Sequence, residues 1–180
     1  MQKITILIPL LIFTLASFGQ SALPKGQAQL NAGTGKSTWG VPIYIGLDYG
    51  MRKNITLGGE ISGRRSLGGW KEKAYREDIL GLAANGNYHF NTLIGIPSEW
   101  DLYIGGNVGY YSFFTTQDGN YGRLGLGGQL GGRYFLNEKT AIHLEFGTGG
   151  LDLAGIKLGV THKLYPKTKK KKAEVKPDNN

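Results

Sequence analysis

Apolar residues recur at every second position over most of this chain, and the pattern begins at about residue 27. In Val41–Met51, for example, Ile43, Ile45, Leu47 and Tyr49 share one face, whereas the other face carries smaller or polar residues. An alternation with period two places such apolar side chains on one side of a β-strand. The chain therefore predicts a series of strands, each with one apolar face and one face of Gly, Asn, Tyr and isolated charges.

Residues 1–20 break this pattern because they form one apolar run after a positively charged start. The apolar part, Ile4–Phe18, is too short for a comfortable transmembrane helix, which needs about 20 residues. Small residues at Ser17 and Gly19 predict cleavage between Gly19 and Ala22. We interpret this segment as a secretory signal peptide, with a retained anchor helix as the alternative.

Eight alternating segments follow, and most have the roughly 9–11 residues that a tilted strand needs to cross a bilayer. They are Gln27–Gly35, Val41–Met51, Asn54–Arg64, Ile79–Phe90, Trp100–Phe114, Arg123–Leu136, Thr140–Gly147 and Leu153–Tyr165. The predicted fold class is all-β: an eight-stranded antiparallel up-and-down transmembrane β-barrel over residues 21–165, after a cleaved signal peptide.

The connections between these segments alternate in character. Met51–Asn54 and Asn137–Thr140 are interpreted as tight turns, and Asn91–Glu99 is a somewhat longer connection on the same side. The connections on the other side include the longest and most charged segment: Lys36–Gly40, Arg65–Asp78, Thr116–Gly122 and Thr148–Asp152. Short turns face the periplasm in this architecture, so an even strand count predicts an outer-membrane location with both termini periplasmic.

The net charge of +8 is concentrated at the carboxyl end. Residues 166–180 hold six Lys against Glu174 and Asp178, and form a basic periplasmic tail in this topology. No basic platform with interleaved aromatic residues accompanies the charge, so we predict no nucleic-acid partner. The chain has no Cys, which excludes disulfides and lipoprotein acylation, and no cofactor is predicted.

Aromatic residues lie at the turn-side ends of the predicted strands, where an interfacial girdle is expected. They are Tyr49, Tyr88, Phe90, Trp100 and Tyr134. The alternative is the ordinary preference of aromatic residues for strands.

The strand sequences VPIYIGLDYGM, WDLYIGGNVGYY and AGIKLGVTHKLY, together with the signal peptide, resemble the small eight-stranded outer-membrane barrels of the OmpA/OmpX type. The last strand resembles their carboxyl-terminal assembly signal, although His162 replaces an apolar residue and a tail follows Tyr165. The resemblance implies outer-membrane lipid and the barrel-assembly machinery as partners.

Eight strands enclose a lumen that side chains can fill. Four acidic and four basic residues lie on the predicted inward face: Asp48, Glu60, Asp101 and Glu145, with Arg64, Arg133, Lys157 and Lys163. Near balance of buried charge is typical of a salt-bridged core, because an unpaired buried charge is costly. We therefore predict a sealed lumen rather than a charged permeation path.

These patterns favour a non-enzymatic barrel with a structural or loop-mediated binding role. One alternative is a lipid-modifying acyl hydrolase or transferase that uses His143 and Glu145, although His143 points inward and no Ser lies nearby in the sequence. Another is a soluble lipocalin-like carrier, which would place its apolar face inside. The candidate binding element is the loop Arg65–Asp78, whose aromatic and basic residues include Trp70, Tyr75 and Arg76. The alternative for this loop is that Trp70 only anchors the headgroup region.

Overall fold

The computed structural model describes residues 23–68, 75–115, 119–149 and 155–164, with the backbone alone for residues 65–68, 75–77, 148 and 149. The predicted signal peptide over residues 1–20 and the basic tail over residues 166–180 lie outside the described residues. No helix in the described part of the chain is long and apolar enough to cross a membrane.

Eight strands and one helical turn make up the structure. In chain order they are β1 (Ala28–Ser37), β2 (Val41–Arg52), β3 (Ile55–Gly68), β4 (Tyr75–His89), α1 (Asn91–Ile94), β5 (Trp100–Thr115), β6 (Tyr121–Phe135), β7 (Thr140–Gly149) and β8 (Gly155–Leu164). Each strand pairs antiparallel with its neighbour in sequence, and the sheet closes into a barrel. This confirms the predicted fold class.

The closing seam joins the first and last strands over their whole length. Ala28 lies opposite Leu164 at one end, and Ser37 lies opposite Gly155 at the other. A closed sheet leaves no unpaired strand edge, which is what a sheet surrounded by lipid requires.

The two ends of the barrel differ, and we name them by what they carry. The terminal end is where β1 begins and β8 ends, and it holds the β2–β3, β4–β5 and β6–β7 turns. The loop end holds the other four connections, including 69–74, 116–118 and 150–154, which lie outside the described residues.

The inward and outward faces follow the predicted alternation in all eight strands. The outward side chains form an exposed apolar belt, in which Leu126 is 70% exposed and more than half of the Leu82 and Leu158 side chains is also exposed. The inward side chains are buried and mostly polar, as Gln129 and Thr161 illustrate. A lipocalin-like carrier would have the opposite arrangement, and the apolar outer surface is that of a membrane-spanning barrel.

Aromatic residues ring the terminal end of this belt. Tyr49, Tyr88, Trp100 and Tyr134 are exposed there, and the rings of Trp100 and Tyr134 lie 5.0 Å apart. Phe90, the fifth predicted member, is half-buried just beyond the end of β4.

Three predicted connections differ most from the structure. Arg65–Gly68 extend β3 and Tyr75–Asp78 extend β4, because backbone pairing continues to Gly68 opposite Tyr75, so the predicted 65–78 loop is shorter than expected. The Lys36–Gly40 loop contracts to a two-residue hairpin, in which Gly40 has a φ of 108° that favours glycine. The third difference is in 91–99, where α1 forms.

A segment before β1 packs against the barrel at the terminal end. Leu23 is 1% exposed, and a side chain at Gly50 would collide with the backbone carbonyl of Pro24. Gly26 donates its backbone N–H to the carbonyl of Gly50, and Gly50 donates to that of Gln27. The segment is thereby fastened to β2.

The loop end of the interior holds a cluster of apolar side chains. Ile79, Tyr111 and Phe113 are buried together, and Trp39 packs against them with its ring 5.8 Å from that of Phe113. Tyr121 stacks on the Phe113 ring at 4.7 Å. An apolar cluster therefore fills the interior above the polar lumen.

The outward position of Leu126 generates a prediction. Leu126→Arg places a charge on the lipid face, at a cost of about 2–4 kcal/mol near the bilayer midplane. Gln129→Ala removes two side-chain hydrogen bonds, with Asn87 and Asn107, each contributing about 1 kcal/mol. We expect Leu126→Arg to lower the folded yield in a membrane-integration assay more than Gln129→Ala does, with Leu126→Ala as control. Equal yields for the arginine and alanine variants of Leu126 would contradict the lipid-facing assignment.

Candidate functional site in the barrel lumen

Arg133 is the central charge of the lumen, and it joins two acids on different strands. It donates from Nη1 to Asp101 and from Nη2 to Asp48, at 2.9 Å in each case. The Arg133 side chain is 3% exposed and the two carboxylates are also buried. Its guanidinium lies over the Tyr103 ring at 4.4 Å. The backbone register explains one half of this bridge, because Asp101 is the cross-strand neighbour of Arg133.

His89 extends this cluster towards β3. Its Nδ1 lies 2.7 Å from Asp101, and its Nε2 lies 3.0 Å from the hydroxyl of Thr56. A carboxylate accepts only, so Nδ1 carries a proton and donates it to Asp101. Asp101 is therefore held by a guanidinium on one side and an imidazole on the other.

His143 belongs to a chain of donors that ends at the other acid of the Arg133 bridge. The hydroxyl of Tyr44 lies 2.5 Å from His143 Nε2, and His143 Nδ1 lies 2.9 Å from Thr161. Thr161 donates to Asn31, and Asn31 donates to Asp48. Because the Thr161 hydrogen is directed to Asn31, His143 donates from Nδ1 and accepts from Tyr44 at Nε2.

These contacts form one hydrogen-bonded network that includes a residue from every strand. In strand order its members are Asn31, Tyr44 with Asp48, Thr56, His89, Asp101, Arg133, His143 and Thr161. The network ties the whole circumference of the barrel together from inside.

Lys157 forms a second charge cluster beside the first. Its ammonium lies 2.7 Å from both carboxylate oxygens of Glu60 and 3.5 Å from Glu145. Glu145 also accepts a hydrogen bond from Tyr103 at 2.9 Å, and Lys157 lies over the ring of Tyr44. Tyr103 and Tyr44 therefore contact both charge clusters.

Two of the predicted lumen charges lie elsewhere in the interior. Arg64 donates to Ser37 and Ser62 and lies 5.9 Å from the Tyr111 ring, at the loop end. Lys163 lies 3.9 Å from the Phe135 ring, near the terminal end. The structure thus brings six of the eight predicted charges into two ion-pair clusters and places Arg64 and Lys163 towards the two ends of the interior.

The charges leave little space between them. The lumen contains a polar cavity of about 20 Å³, counted as the volume open to the centre of a water molecule, which accommodates about one or two waters. It is lined by side chains of both charge clusters, among them Asp48, Arg133, Glu60 and Lys157. Such a cavity holds solvent rather than a substrate.

The residues weighed for acyl-transfer chemistry do not form a catalytic pair. His143 and Glu145 both face the lumen, but His143 contacts Tyr44 and Thr161 whereas Glu145 contacts Tyr103 and Lys157. An ester in the bilayer has no access to a buried imidazole. Among the described residues, no group of three or more His, Asp or Glu side chains could hold a metal ion.

The candidate loop residues are only partly described. Trp70 lies outside the described residues, and Tyr75 and Arg76 lie in β4 with their side chains undescribed.

The sequence pattern does not show that Leu23 and the apolar cluster at the loop end close the lumen. The alternation does carry a signal for the cluster, because Ile79 and Phe113 occupy inward positions of their strands. Leu23 precedes the first strand and has no periodicity to reveal it.

Glycine at position 131 makes room for Tyr103. The two residues are cross-strand neighbours, and a Cβ at Gly131 would overlap the Tyr103 ring. Tyr103 therefore lies flat over β6, where it reaches both Glu145 and Arg133. A tyrosine over a cross-strand glycine also shields the bare backbone.

The Arg133 bridge leads to a first prediction from the lumen. Arg133→Met leaves two buried carboxylates without their cation, and we expect a loss of about 3–5 kcal/mol in unfolding free energy. Lys53→Met, at an exposed turn, is the control and should change little. Denaturant unfolding in detergent micelles measures both variants.

Adding Asp48→Asn and Asp101→Asn to Arg133→Met should recover part of the loss, since the unpaired charge is then removed. An Arg133→Met variant as stable as the Lys53→Met control would show that the bridge contributes nothing.

A matched pair of glycine substitutions tests the Tyr103 contact. Gly131→Ala should destabilise the barrel by about 1–3 kcal/mol, because the ring must move out of its place. Gly63→Ala is the control, since a Cβ there meets nothing within 4 Å. The two variants are compared by the temperature at which the folded gel band is lost, and equal temperatures would contradict the packing role of Gly131.

No protein-family model matches the chain, and the comparison with curated proteins also gives no match. Solved structures do match. The outer membrane protein OprG from Pseudomonas aeruginosa has a TM-score of 0.59 at 13% identity, covering 80% of this chain and 98% of that protein. Neisserial surface protein A gives 0.58 at 14% identity, covering 77% and 96%. A de novo designed transmembrane β-barrel gives 0.50 at 14% identity, covering 78% and 97%.

Identity at this level establishes the fold alone, and the designed barrel among the matches shows that the fold implies no particular activity. The chain has the eight-stranded transmembrane fold of small outer-membrane β-barrel proteins.

Proposed function

We propose that this protein is a closed, non-enzymatic barrel of the outer membrane that serves as a rigid scaffold for binding by its loop end. The observation that carries the proposal is the lumen network, which includes a residue from every strand and lines a cavity of about 20 Å³. An interior held in this way supports a scaffold role more than transport or catalysis.

Obstruction of the interior at three levels supports the non-conducting part of the proposal. Leu23 is buried at the terminal end, the Arg133 and Lys157 clusters fill the middle, and Phe113 with its neighbours fills the loop end. A hydrated ion would have to displace an apolar cluster and separate buried ion pairs to pass.

The orientation follows from the general architecture of such barrels, in which short turns face the periplasm. We place the terminal end, and with it both chain termini, on the periplasmic side. Outer-membrane lipid and the barrel-assembly machinery are the partners that this location requires.

The hairpin between β3 and β4 is the proposed binding element. Its tip combines Trp70 and the adjacent β4 residues Tyr75 and Arg76, residue types that dominate binding energy at protein interfaces. Loops on a rigid scaffold commonly carry function. Pairing of β3 with β4 as far as Gly68 and Tyr75 supports the tip on a continuous two-stranded ribbon.

Conductance measurements test the proposal of a closed lumen. Purified protein in planar bilayers should show no stable channel of general-porin size, because the described side chains obstruct the interior at three levels. A folded sample is verified by its different gel mobility before and after boiling. Stable large conductance from such a sample would refute the sealed scaffold.

A loop replacement tests the binding element. Residues 69–74 are replaced by a short Gly-Ser turn, which leaves the β3–β4 pairing intact, and cells that express each form are applied to arrays of glycans and proteins. We expect the heat-modifiable band to persist and binding to any ligand found with the intact chain to be lost. A matched replacement of residues 116–118 is the control. If the 69–74 variant still binds and the 116–118 variant does not, the binding site lies in another loop and the proposal for the β3–β4 hairpin is wrong.

A further inference from the structure

One of the three turns at the terminal end exposes two adjacent aliphatic side chains. The β2–β3 turn contains Lys53 and Asn54, and the β6–β7 turn, residues 136–139, exposes one aliphatic side chain, Leu136, before three polar residues. The β4–β5 turn instead carries α1, where Leu93 is 69% exposed and Ile94 is 54% exposed. This pair is the larger aliphatic patch among the three turns, and it requires an explanation.

Hydrogen bonds fix this turn in place. The side chain of Asn91 donates to the carbonyl of Trp100 at 3.0 Å and accepts from the N–H of Leu102 at 2.8 Å. Gly95 ends the helical turn in the left-handed region, with a φ of 63°. Asn54 of the neighbouring turn donates to the hydroxyl of Thr92 at 3.0 Å. The apolar side chains are therefore presented by an ordered element tied to two neighbours.

The turn continues the lipid-facing belt of the strands it connects. Tyr88 near the end of β4 and Trp100 at the start of β5 are both exposed members of the aromatic ring, and Trp100 contacts Tyr134. Tyr and Trp mark the headgroup level of a bilayer. Leu93 and Ile94 lie in the chain between these two aromatic residues of the headgroup level. They therefore extend the lipid-facing surface of β4 and β5 beyond the strand ends.

The small size of the patch decides between lipid and a protein partner. A stable protein interface buries about 1,200–2,000 Å² in total, which two aliphatic side chains on a four-residue turn do not approach. A lipid surface needs no such area and no shape complementarity. Apolar side chains on short amphipathic elements bury themselves at the boundary between headgroups and acyl chains.

We propose that α1 is a lipid anchor: it inserts Leu93 and Ile94 into the headgroup–acyl boundary of the leaflet at the terminal end. The β4–β5 side of the barrel then contacts phospholipid beyond the reach of its strands, whereas the β2–β3 turn remains in water. The anchor does not depend on which compartment the terminal end faces.

The absence of Cys from the chain permits single-site labelling of the full protein. Leu93→Cys and Ile94→Cys each receive a nitroxide label, and the protein is reconstituted into phosphatidylcholine vesicles. Lys53→Cys, on another turn of the same end, is the aqueous control, and Leu126→Cys is the lipid control. Collision with oxygen, which partitions into lipid, is compared with collision with a water-soluble nickel complex.

We expect labels at residues 93 and 94 to have oxygen-to-nickel ratios closer to that at residue 126 than to that at residue 53, with a depth of about 5–10 Å. Ratios at 93 and 94 equal to that at 53 would overturn the anchor. Labels shielded from both reagents would also overturn it, because a protein contact would then cover the turn. An aqueous ratio at residue 126 would instead refute the membrane-spanning barrel itself, so the two failures are distinguishable.

A second variant tests the same element without a label at either aliphatic position. Leu93→Asn with Ile94→Asn should retain the gel shift of a folded barrel, since neither side chain is buried in the protein. A label at Thr92→Cys should then move towards water relative to the same label in the parent chain. An unchanged position of that label would show that the two aliphatic side chains do not hold the turn in lipid.

Discussion

A buried guanidinium bound by two carboxylates from distant strands is the interaction on which the interior of this barrel depends. A buried arginine is costly unless its charge is paired. Arg133 is paired twice, through Nη1 to Asp101 and through Nη2 to Asp48, and each carboxylate binds further polar partners. The lumen can be polar, as a barrel in lipid requires, because its polar groups bind one another instead of water.

The aromatic residues of the interior complete this arrangement in a way that charges alone could not. Tyr103 and Tyr44 present ring faces to Arg133 and Lys157, and their hydroxyls bind Glu145 and His143. Each ring thus fills volume and contacts a cation, while its hydroxyl satisfies a polar neighbour. Glycine opposite Tyr103 is the complementary choice, since any larger residue would occupy the place of the ring.

The alternation of the sequence predicted the strand number, the two faces of every strand and the inward position of all eight charges. It could not predict which charges meet, because partners such as Glu60 and Lys157 depend on strand tilt and stagger around the barrel, and a linear pattern contains neither. Leu23 and α1 were missed for another reason, since both lie outside the strands that the pattern describes.

The large sequence separations inside the lumen have a consequence for the order of assembly. Asp48 and Arg133 are 85 residues apart, Glu60 and Lys157 are 97 apart, and Tyr44 and His143 are 99 apart. None of these contacts can form in a partial sheet that holds only the first four strands, and such a sheet would carry unpaired charges on the face that later becomes the lumen. The entropy of loop closure is lost before contacts between distant residues can form, so partly assembled barrels gain little stability from the lumen contacts. The polar interior therefore makes insertion close to all-or-none, with the last strand completing the seam and the charge pairing together.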